Sequence, residues 1–175
     1  MSFHELRTDK ISGLVVVCFG MFMIVFGTFA LSIILLQSLI FKTMPPIPVG
    51  PDGFDFTTTM RKMHALWWTY MPITIAGGLV FAVCGRLIYR GSNAARRIAQ
   101  FNAVLGYVWG IAYAWSCSQL VDAFPVPGMV MDDSVVEVIK IGSLFLNLLF
   151  ELMFPTAILF LLSRPKSQTM DAIVC

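Results

Sequence analysis

The sequence predicts an all-α membrane protein: a four-helix transmembrane bundle, both termini cytoplasmic, with two Pro-rich outer loops. Three observations predict it. Apolar residues fill 58% of the 175 positions and charged residues 13%, and the mean hydropathy is +0.81. A soluble domain is about 45–50% apolar and about 25% charged. Four stretches can each span a bilayer, and Lys and Arg gather on alternate connections. This composition excludes a soluble globule, a disordered tail and a nucleic-acid-binding arm. The net charge of +2 is too small to name a partner.

A membrane helix needs about 20 apolar residues, and each charge inside it is costly. Residues 11–41, between Lys10 and Lys42, carry no charge. This run is far longer than the 7–15 residues or so of a signal-peptide core, so it reads as a retained first helix. At about 1.5 Å per residue it is roughly 46 Å long, against a hydrocarbon core of about 30 Å, so it must tilt or project. The second run, 65–85, is closed by His64 and Arg86, and its helix is expected over 66–89. The third lies between Arg97 and Asp122, with a helix expected over 97–121. The fourth lies between Lys140 and Arg164, with a helix expected over 138–163 and Glu151 as its one charge. Apolar segments of this length satisfy their own backbone hydrogen bonds as helices. All four belong to one transmembrane domain, with no repeat and no separable soluble part.

Orientation follows from counting Lys and Arg. Arg7, Lys10, Arg86, Arg90, Arg96, Arg97, Arg164 and Lys166 fall on one side. The other side has half as many: Lys42, Arg61, Lys62 and Lys140. The richer side is the cytoplasm. Trp67, Trp68 and Tyr70 are expected as an interfacial belt at the outer end of the second helix, and Tyr89 at its inner end.

Between the second and third helices, Gly91-Ser92-Asn93 reads as a tight turn. Arg96 and Arg97 beside it fix topology and are placed to meet anionic lipid heads. The outer connections are longer. Pro45-Pro46-Ile47-Pro48 and Phe124-Pro125-Val126-Pro127 exclude helix, because Pro fixes φ and lacks the donor. Both carry apolar groups that need cover, so the two loops are expected to form a small outer cap that also meets a partner, the alternatives being docking on a partner subunit or lying in the membrane interface. Neither contains a Cys, so no disulfide is expected there. Cys18, Cys84 and Cys117 read as buried apolar thiols.

Helices in lipid associate through small residues and polar contacts. The third helix has Gly106, Gly110, Ala114 and Ser118, four apart. The second has Thr74, Gly78 and Ala82 at the same spacing, and the first has Gly13, Gly20 and Gly27, seven apart. These stripes either close the bundle on itself or meet another chain. Tyr107, Trp109 and Tyr113 lie near mid-membrane, where a phenol or indole wants a hydrogen-bond partner. They read as bundle core or as contacts for a pigment, quinone or lipid.

Glu151 is the one candidate for chemistry, near the middle of the fourth helix with Asn147 and Pro155 one turn to either side. Pro155 lacks an N–H, which frees the Glu151 carbonyl. No Lys, Arg or His lies at matching depth in the other spans, so the carboxyl is expected to be neutral and to donate a hydrogen bond, to Tyr113 or Thr74. Three roles fit it: a polar tie, a proton or cation relay, or a bond to a bound cofactor or lipid. No nucleotide-binding loop, haem-ligand pair, nucleophile–base set or metal-ligand cluster is present, so no catalytic residue, metal or cofactor is assigned. The expected function is that of a small non-catalytic integral membrane subunit, held in the bilayer and packing with itself or with other membrane subunits. The alternatives are a component of a proton or cation pathway using Glu151, and a cofactor- or lipid-binding subunit.

Overall fold

A computed structural model describes residues 3–43, 56–120 and 133–163. Among them the chain forms four helices and no strand: α1 (Phe3–Thr43), α2 (Phe56–Tyr89), α3 (Asn93–Leu120) and α4 (Asp133–Ser163). Both Pro-rich outer segments and the C-terminal tail, with Cys175, lie outside the described residues.

All four helices are longer at their N-terminal ends than the charge-free runs suggest. Arg61 and Lys62 are exposed on the first turns of α2, and Lys10 lies within α1. A charge ends the part of a helix that sits in oil, not the helix itself. Long basic side chains reach water from helical backbone. The connection expected over 43–64 is therefore shortened by the start of α2 at Phe56.

Neighbouring helices run antiparallel. Gly13 lies against Gly85 and Tyr89, Gly20 against Gly78 and Ala82, and Gly27 against Met71 and Ile75, so α2 descends as α1 rises. Asn102 meets Gly77, and Tyr70 meets Ser116, which pairs α2 with α3 in the same sense. Gly110 faces Glu151, and Arg96 reaches Leu162, which pairs α3 with α4. The start of α1, the α2–α3 turn and the end of α4 thus share one end of the bundle.

The α2–α3 turn has a local cause. Gly91 adopts φ +87, a conformation costly for side chains with a Cβ. Its N–H bonds Ile88 O at 2.8 Å, and Ser92 N–H bonds Leu87 O at 3.0 Å. This double closure ends α2. Ser92 then starts α3, its hydroxyl accepting from the Ala95 N–H at 3.3 Å.

The closest approach in the fold is between α1 and α2. A Cβ built on Gly20 would lie 2.6 Å from Gly78 O, and one on Gly78 would lie 2.8 Å from Gly20 O. Gly13 and Gly85 repeat the arrangement, with 2.7 Å in both directions. The α2 side of this seam is therefore Met71, Gly78 and Gly85, spaced by seven, a mirror of the α1 heptad. Thr74 and Ala82 flank it.

The four helices share a core at the turn end, built from Val16, Phe81, Cys84, Ile88, Ala95, Ala99, Ala103, Ile158 and Leu162. Phe19 links three of them, stacking on Phe154 at 5.0 Å and meeting Phe81 edge-on at 5.4 Å. At the other end Ala30, Ile34 and Met71 join only α1 to α2. Contact between α1 and α4 is narrow. The buried residues of α4 are Pro155, Ile158 and Leu162, all in its last third.

The outer surface is apolar. Phe29 and Leu36 of α1, Val83 of α2 and Phe145 and Leu149 of α4 are exposed. Water would not tolerate such a belt, whereas lipid does. By length and apolarity α1, α2 and α4 can each cross a membrane. The 28-residue α3 is long enough but less apolar. Its polarity lies on the inward face. Asn102 Nδ2 donates to Gly77 O at 3.2 Å, while Gln100 Nε2 and Arg96 Nε both donate to Leu162 O, at 3.2 and 2.9 Å. Its outward face holds Phe101, Val108 and Trp115, each at least 60% exposed.

These contacts predict unequal responses at two adjacent glycines. Gly78→Ala forces a methyl into the α1 backbone and is expected to cost about 1–3 kcal/mol, the usual range for overpacking. A Cβ at Gly77 would meet only Met23 Cε at 3.7 Å and Asn102 Nδ2 at 3.9 Å, so Gly77→Ala should be near neutral. Thermal unfolding in detergent measures both, and equal effects would contradict the seam.

Candidate intramembrane polar site

Helical spacing puts Lys140, Ser143, Asn147 and Glu151 along one side of α4. Glu151 sits over Gly110 of α3. A Cβ on Gly110 would lie 2.9 Å from Glu151 Cβ and 3.6 Å from Glu151 O, the carbonyl that Pro155 deprives of its helical donor. Only a residue without a side chain lets α3 approach this closely. Gly106, one turn earlier, takes the ring of Pro155, with Cγ 3.3 Å from its Cβ position. Ala114 and Ser118 continue the stripe and are buried.

Around Glu151 the helices assemble an aromatic group. Tyr70 is 8% exposed and turned inward, where the sequence reading assigns it to the interfacial belt. Its ring lies 4.6 Å from that of Trp109 and 4.8 Å from that of Tyr113. Trp109 and Tyr113 are one turn apart on α3, so Tyr70 fits against both. The Ser116 hydroxyl donates to Ala112 O at 2.8 Å and accepts from the Tyr70 hydroxyl at 3.3 Å. The Tyr113 hydroxyl interacts with Trp67 and Cys117 and lies within electrostatic reach of Glu151. The Trp109 indole N–H is buried without a partner.

The hydrogen bonds expected of Glu151 are not formed. Thr74 Oγ1 donates to Tyr70 O of its own helix at 3.0 Å, and the Tyr113 hydroxyl, which neighbours Trp67 and Cys117, makes no hydrogen bond to the carboxyl. Asn147 Nδ2 turns back to Ser143 O at 2.8 Å, away from the carboxyl. Thr156 donates to Leu152 O at 2.6 Å and accepts from the Tyr107 hydroxyl at 2.5 Å. Tyr107 therefore ties α3 to α4 and stands apart from Trp109 and Tyr113. No hydrogen bond or ion pair joins the partly buried Glu151 carboxyl to a described residue. The arrangement can hold a charge or a proton, but the described residues supply no group that fixes it.

Two further polar features escaped the sequence reading. His64 Nε2 accepts from Trp68 Nε1 at 2.6 Å and lies 2.9 Å from Ser38 Oγ, a link between α1 and α2 at the end away from the turn. The i, i+4 spacing of His64 and Trp68 was a usable signal for it. Arg96 and Gln100 cap the last carbonyls of α4, where a cation also favours the helix dipole. Their partner is more than sixty positions away, and no local pattern announces it.

Gly110→Ala is expected to destabilise more than Gly106→Ala. The first meets a Cβ fixed to backbone below 3 Å and the second a ring edge that has to give by only a few tenths of an ångström, and the difference should be about 1 kcal/mol or more. Thermal unfolding of the two variants side by side checks it, and the reverse order would contradict the placement of Glu151. A scan against protein-family models finds no match to this chain, nor do curated proteins or solved structures.

Proposed function

We propose that this chain is an integral membrane protein that crosses the bilayer four times with both termini in the cytoplasm. The character of α3 supports the fourth crossing. Between Ile98 and Ser118 its amide and serine side chains bond to α2, to α4 or to its own backbone, and the exposed residues of that stretch are apolar. The Lys and Arg distribution supports the orientation.

Within the membrane we read the chain as a non-catalytic subunit that packs with itself or with a larger complex. One observation carries this reading. Among the described residues, Glu151 lacks a partner and α4 has no buried residue before Pro155. A polar group in hydrocarbon without a partner is costly, and a neighbouring subunit is the reading that completes it. The small-residue stripes do not carry the reading, because Gly13, Gly20, Gly78 and Gly110 are all occupied by this chain's own helices. Native mass spectrometry from mild detergent is expected to report an oligomer or a co-purifying subunit, with Glu151→Leu shifting the population toward single chains. A bare monomer for the unaltered protein would overturn the subunit reading.

The same observation favours a second reading, a proton or cation pathway. A carboxyl that no side chain holds is free to exchange its ion. Protein in liposomes should then carry protons or monovalent cations, and Glu151→Gln should lower the flux by about tenfold or more, since an intramembrane acid of this kind is the exchanging group. Equal fluxes would remove Glu151 from any such path.

A further inference from the structure

We infer that the layer around Glu151 is a binding site for a lipophilic monovalent organic cation that enters from the bilayer. The inference rests on the cation reading of Glu151 given above and names the class of ion.

The first ground is charge. Glu151 is partly buried and unpaired. Arg96 is engaged at the turn end of the bundle, and Lys140 lies eleven positions along α4, about 16 Å at a rise of roughly 1.5 Å per residue. The second ground is the ligand set. Small hard cations need about six oxygen ligands or more. Among the described residues the layer offers one carboxyl and the Glu151 carbonyl that Pro155 frees, while the Tyr70 and Tyr113 hydroxyls already have side-chain neighbours. A metal ion would be left undercoordinated, whereas a quaternary ammonium or phosphonium needs no such shell.

The third ground is the wall. Trp67, Tyr70, Trp109 and Tyr113 form one group, with ring centroids 4.6 and 4.8 Å apart about Tyr70, and its Tyr113 lies within electrostatic reach of Glu151. Aromatic faces attract a cation within about 6 Å of their centroids, and most strongly when it is desolvated. The fourth ground is access. Past its narrow contact through Phe154, α1 packs on α2 and leaves the first two-thirds of α4 without a buried residue. An ion that carries its own apolar surface can approach Glu151 from that side without crossing water.

The test uses the full-length protein in nanodiscs with radiolabelled tetraphenylphosphonium. Saturable binding above empty nanodiscs is expected. Glu151→Gln should weaken it by about tenfold or more, as expected for losing the one opposite charge near the site. Tyr113→Leu should weaken it several-fold, while Tyr113→Phe, which keeps the ring, should bind nearly as the unaltered protein does. The Tyr113 pair decides the matter if Glu151→Gln does not stay monodisperse. No saturable binding, or binding indifferent to both positions, overturns the inference. If that result accompanies a Glu151-dependent flux of protons or metal cations, the pathway reading stands without the organic-cation site. If flux is absent as well, both fall.

Discussion

The structure depends on how closely the backbones of α1 and α2 approach. Lipid gains nothing by the hiding of apolar side chains, so helices in it are held by contacts that lipid cannot make. At Gly13–Gly85 and Gly20–Gly78 each helix places backbone where the other would otherwise carry a Cβ. The two crossings are seven residues apart on both helices, close to two turns, which keeps one seam in register under a gentle left-handed supercoil. This seam sets the position of α2, and α2 presents Tyr70 and Gly77 to α3.

From that placement the polar interior follows. The least apolar helix, α3, sits where several of its inward polar residues have neighbours: Asn102 at α2, and Gln100, Arg96 and Tyr107 at α4. The bundle is closed by a four-helix core at the turn end and opens between α1 and α4 toward the other. Glu151 lies beyond that core, packed through its backbone and Cβ on Gly110 of α3, and its carboxyl has no partner among the described residues. The order of the interior and the incompleteness of the site have the same origin. Glycine contact draws α1 to α2, so α1 does not cover α4.

Much of this could be read from residues alone, because a bilayer makes simple demands. Charge-free runs located four helices, and the heptad of Gly13, Gly20 and Gly27 located one side of the seam. Gly85 escaped because the reading of α2 sought spacings of four, whereas its contacts repeat every seven. Tyr70 was assigned to the interface by its proximity to Trp67 and Trp68. Its helical phase, shared with Gly77 rather than with Trp68, turns it inward. The capping of α4 by Arg96 joins distant residues and has no local signature. The neighbours of Glu151 were legible by depth, since Tyr113 is among them. Whether a bond forms depends on fractions of a turn that spacing does not resolve, and the Tyr113 hydroxyl neighbours Trp67 and Cys117 without bonding the carboxyl.

The central claim is that α3 crosses the membrane although it is the least apolar of the four helices. The direct measurement is the labelling of single cysteines in sealed, oriented membranes, with the native cysteines replaced. Asn93→Cys and Ser134→Cys mark exposed positions at the start of α3 and the start of α4. An impermeant thiol reagent added from outside should label the cysteine at 134 in intact membranes and the cysteine at 93 only after permeabilisation. Labelling of both from the same side would mean that α3 does not cross, and would contradict the four-span account.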